Sequence, residues 1–137
     1  MYILGIETTG AFASVALTKD GRVIGHVRGN DRFSHLQNLM PQVESVIKEN
    51  KLSIGDISAL AVSCGPGSFT GIRIGVSSAR ALSQILDIPC ASVSSLEALA
   101  MRVCESDNLN DIVDKKVLVC PILDARRSQV YGAGYYV

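Results

Sequence analysis

Residues 59–75 read ALAVSCGPGSFTGIRIG, an apolar run that halts at Gly65-Pro66-Gly67 and resumes with a different period. Ala59 to Ser63 has the length and content of a buried strand. The two glycines around Pro66 break it sharply, and Ser68 stands where a hydroxyl would cap a helix running to about Leu86. Strand, tight glycine loop and helix form the first half of a parallel crossover. Ile88 to Val93 supplies the next strand, and Ser94 with Glu97 caps a further helix to about Cys104. Such an alternation demands an α/β sheet.

The chain before residue 59 adds strands of another kind. Tyr2 to Glu7, Ala13 to Thr18 and Val23 to Arg28 read as three strands, and Asp20-Gly21 marks a hairpin because glycine accepts the positive φ of a tight turn. Over Ser34 to Asn50 the period changes. Leu36, Leu39, Met40, Val43, Val46 and Ile47 fall on one helical face, and Ser34 with Gln37 has the spacing of a capping box. Pro41 either kinks this helix or marks its first turn. Ser53 to Ile57 is a short turn.

Beyond Cys104, residues 105–114 are polar and rich in Asn and Asp, as in a loop or linker. The opening pattern then restarts. Lys116 to Leu123 is an apolar strand that ends in Asp124, a turn follows, and another strand begins at Gln129. Tyr2 to Ile6 ends in Glu7 in the same way. The expected architecture is a mixed five-stranded sheet with an antiparallel meander and flanking helices over residues 1–110. Residues 111–137 are expected to open a second, similar lobe that is cut short in mid-strand.

Composition narrows the class of protein. With 47% hydrophobic and 19% charged residues, the chain is too apolar for a disordered segment. No apolar run has the roughly 18 residues needed to span a bilayer, and Glu7 interrupts the first one, so neither a membrane span nor a signal peptide is expected. Thirteen basic and thirteen acidic residues leave no net field for a polyanion. Contact with nucleic acid is therefore expected through a partner. Cys64, Cys90, Cys104 and Cys120 lack metal-site spacing, and they read as reduced core residues of a cytoplasmic protein.

What the glycine loop offers is a helix N-terminus with free N–H groups, an environment that favours anions. Ser68 and Thr70 would add hydroxyls, although a tight connection alone explains the glycines equally well. No Lys-Ser or Lys-Thr pair follows the last glycine, so this is not a phosphate-gripping Walker motif. Two histidines, His26 and His35, leave little material for a catalytic base, and no Gly-x-Ser-x-Gly elbow is present. Along the second helix Gly71, Gly75, Ala79 and Ser83 recur every four residues, a stripe of small side chains. Such a stripe lets another backbone approach closely, either within the chain or from a partner.

The stretch from Gly65 to Gly75, together with Ile6-Glu7-Thr8-Thr9 and Leu123-Asp124-Ala125-Arg126-Arg127, resembles the TsaB family, formerly YeaZ and often grouped with glycoprotease-like proteins. The resemblance runs the length of the chain. It implies the actin-like ATPase (ribonuclease H-like) fold shared with Hsp70 and sugar kinases, whose two lobes are related by duplication. Catalytic relatives of that fold hold metal and phosphate with an aspartate in the first hairpin. Glu7 stands at that position here, one methylene longer. Glu7, Thr8, Thr9, Ser68 and Thr70 are thus the candidate weak nucleotide or anion loop; the longer Glu7 counts against ATP hydrolysis, and no cofactor is expected.

TsaD, the catalytic relative, carries two histidines four residues apart on its first helix, whereas His35 here is followed by Leu39. No catalytic or metal-binding residue is expected on that account. The resemblance implies instead an accessory, non-catalytic subunit that activates a TsaD-type enzyme making threonylcarbamoyladenosine on tRNA, with a TsaE-type ATPase as a third component. In the family the first two helices dock against the equivalent pair of TsaD or of a second copy. Leu36, Leu39, Met40, Val43, Ile47, Gly71, Gly75 and Ala79 are therefore the interface candidates. The competing expectation is an enzyme of the actin-like fold, either a phosphotransferase or a glycoprotease-like metallopeptidase.

Overall fold

The computed structural model describes residues 1–30, 34–104 and 117–136. Three antiparallel strands open it: β1 (Tyr2–Glu7), β2 (Ser14–Lys19) and β3 (Arg22–Arg28). Asp20 and Gly21 both have positive φ, 49° and 83°, which is the turn that the Asp-Gly pair predicts. Helix α1 (His35–Glu49) and a single 3-10 turn (Ile54–Asp56) lead to β4 (Ala59–Ser63). Helix α2 (Phe69–Leu86), β5 (Cys90–Val93) and helix α3 (Ser95–Cys104) complete the crossovers. The strand order is β3-β2-β1-β4-β5, and β1, β4 and β5 run parallel.

Alternation along the strands decides where the core lies. Leu4 and Ile6 of β1, Val15 and Leu17 of β2, and Leu60 and Val62 of β4 are buried on one face. Leu39, Val43, Val46 and Ile47 of α1 and Ala79 of α2 close over that face. Buried leucines such as Leu39 and Leu60 each contribute roughly 1.5–3 kcal/mol relative to exposure.

The start of α1 needs correction. Ser34 makes no side-chain cap, so the Ser34–Gln37 box is not formed. Of the two alternatives for Pro41, the first-turn one is excluded: it lies inside α1, which leaves the Gln37 carbonyl without its i+4 donor. His35, at the start of α1, is buried with 2% exposure.

Past residue 116 the expected strand to Leu123 is two short strands, β6 (Leu118–Val119) and β7 (Ile122–Arg126). Pro121 between them has no N–H to continue a ladder. β7 forms a hairpin with β8 (Gln129–Gly132), and β6 pairs with β9 (Tyr135–Tyr136). The boundary expected between residues 110 and 111 lies outside the described residues.

The cysteines also differ from expectation: Cys64, Cys90 and Cys120 are exposed rather than core. Cys64 lies just past β4, at the sheet end. Cys90 opens the edge strand β5, whose first three residues are all exposed. Partial burial still pushes the Cys90 thiol above its ordinary pKa. The side chain of Cys104 lies outside the described set.

Candidate functional site: the glycine loop and the helix pair

Helix α2 starts where the sequence places it. The Ser68 hydroxyl accepts from the Gly71 N–H at 3.2 Å, and the Ser68 N–H donates to the Thr9 carbonyl at 2.7 Å. The glycine loop is thereby bound to the first hairpin. A buried Thr8 hydroxyl donates to the Gly71 carbonyl at 2.7 Å. The Thr9 hydroxyl shares a hydrogen bond with that of Ser95, at the start of α3, at 3.0 Å. The Glu7 carboxylate accepts from the Thr9 N–H. Two consecutive threonines thus join β1 to α2 and α3.

These bonds redefine the candidate anion loop. The structure does bring Glu7, Thr8, Thr9, Ser68 and Thr70 together, but four of the five point their polar groups at the protein itself. Thr70 alone of the five is exposed. A cleft of about 660 Å³ adjoins the loop, with Gly10, Ser68 and Thr70 on one wall and Asp124, Arg126 and Tyr131 on the other. In the opposite wall the Asp124 carboxylate accepts from the Arg126 N–H at 2.7 Å. That is the same carboxylate-to-i+2 bond as Glu7 makes to Thr9. The restart of the sequence pattern signalled Asp124; nothing in the sequence signalled Ser95.

The interface candidates divide in two. Gly71 and Gly75 are buried against Thr8. A Cβ on Gly71 would overlap the Thr8 carbonyl, and one on Gly75 would overlap the Thr8 hydroxyl. Ala79 has no exposed surface. The small stripe therefore serves close packing of α2 on β1 within the chain, and these three residues are not available to a partner. Leu39, Val43 and Ile47 are likewise core, because the sheet lies under that face of α1. Leu36 and Met40 remain, 76% and 42% exposed. On α2, Arg73, Ser77, Arg80 and Gln84 are exposed, with Val76 among them.

Beside Met40 lies a groove that sequence reasoning did not anticipate. The C-terminal half of α1, the 3-10 turn and Leu82 of α2 enclose it. The Ser53 N–H and hydroxyl both donate to Asp56, at 2.7 and 2.8 Å, holding the turn and keeping the Asp56 carboxyl below its ordinary pKa. Among the described residues no group of three His, Cys, Asp or Glu side chains is placed to hold a metal ion. No helix among them is long and apolar enough to cross a membrane.

The family model described as "TsaD: tRNA N6-adenosine threonylcarbamoyltransferase" matches residues 31–137. A Bacillus subtilis protein named tRNA threonylcarbamoyladenosine biosynthesis protein TsaB is 38% identical over 98% of this chain and 55% of its own length. The Escherichia coli protein of the same name is 36% identical over the same shares. The chain belongs to the TsaB/YeaZ family, within the broader TsaD group. A solved structure, YeaZ from Pseudomonas aeruginosa, superposes with a TM-score of 0.86 at 29% identity, over 99% of this chain and 60% of that one. The fold is accordingly the actin-like, ribonuclease H-like one. The chain spans little more than half the length of the family members it matches.

Proposed function

We propose that this chain acts in threonylcarbamoyladenosine biosynthesis on tRNA as an accessory subunit that docks onto a TsaD-type enzyme and carries out no chemistry itself. The observation that carries this reading is the internal use of the Glu7, Thr8 and Thr9 polar groups. A hairpin that would grip phosphate and metal in an enzyme of this fold here ties β1 to α2 and α3. Membership of a family whose members are named for this pathway supports the reading. Leu36 and Met40 of α1, with Val76 of α2, offer apolar surface for the partner. A TsaE-type ATPase completes the proposed assembly, tRNA meets it through the partner, and the site of action is the cytoplasm.

One observation favours a second reading, an enzyme of the actin-like fold. The cleft beside Thr70 falls within the volume range of small-molecule sites. Calorimetric titration with the TsaD subunit of the same organism, and separately with ATP, decides between them. Saturable binding to the protein and none to ATP is expected. Tight ATP binding without partner binding would overturn the accessory reading in favour of the enzyme.

A further inference from the structure

We draw no further inference here: the strongest candidate, the polar pocket between the end of β3 and α1 beside which Gln42 holds an unpartnered Oε1, carries nothing, because that oxygen is itself buried and nothing in the structure shows what the pocket would hold.

Discussion

The Thr8 hydroxyl donates to the Gly71 carbonyl across 2.7 Å of buried space, and the Thr8 carbonyl fills the place of the Cβ that Gly71 lacks. Strand β1 and helix α2 meet backbone to backbone at this point. The glycine is thus required by contact, in a helix where glycine is intrinsically unfavourable by roughly 1 kcal/mol relative to alanine. Gly71→Ala is expected to destabilise the chain by about 2–3 kcal/mol or more, since the obstacle is backbone and cannot rotate away. Urea denaturation measures it. The sign is decisive: if helix propensity governed the site, the variant would be more stable than wild type.

Gly75, one turn further on, faces the Thr8 side chain rather than its backbone. Relief is therefore available by mutation of Thr8. Gly75→Ala alone is expected to cost about 1–3 kcal/mol. In a Thr8→Ala background the same change should cost less by about 1–2 kcal/mol, because the obstructing hydroxyl is gone. A double-mutant cycle in urea gives that coupling. Strict additivity would mean that α2 is held off β1 by something other than Thr8.

Much of this architecture was legible in the sequence, and the errors have a common cause. The α2 start at Ser68, the Asp20-Gly21 turn and β4 follow from local chemistry, which a short window contains. The fate of an apolar helix face does not. Leu39, Val43 and Ile47 have the spacing of a buried stripe whether the cover is a sheet of the same chain or a partner's helix. The choice depends on contacts with residues 4–17 and 60–62, far away in sequence. Exposure of Cys90 has the same origin: a short apolar run does not state that its strand will lie at the sheet edge. Ser95 was illegible because its partner, Thr9, is 86 residues away.

Glu7 and Asp124 provide a comparison between the two hairpins. Each carboxylate accepts from the N–H two residues on, but Glu7 is half-buried and Asp124 exposed. Water competes for the bond in the second case and much less in the first. Glu7→Ala is expected to lower stability by about 1–2 kcal/mol, in the range for a hydrogen bond to a charged group, and Asp124→Ala by about 0.5 kcal/mol or less. Denaturant midpoints at constant slope check the order. Equal losses would show that both carboxylates serve only as turn formers. Hydrogen exchange at Thr9 should quicken in Glu7→Ala, since its amide loses the acceptor that shields it.

Lys51 holds the cap just beyond α1 with a φ of 57°. Its left-handed backbone is strained by a Cβ, typically by about 1–2 kcal/mol, while glycine would lose more entropy on folding by about 0.5–1 kcal/mol. The lysine also complements the negative end of the α1 dipole, an effect that salt screens. At high salt the dipole contribution drops out, and Lys51→Gly is expected to stabilise the chain by about 0.5–1 kcal/mol in thermal or urea unfolding. A loss of stability at high salt would show that the lysine side chain contributes packing that outweighs the backbone strain.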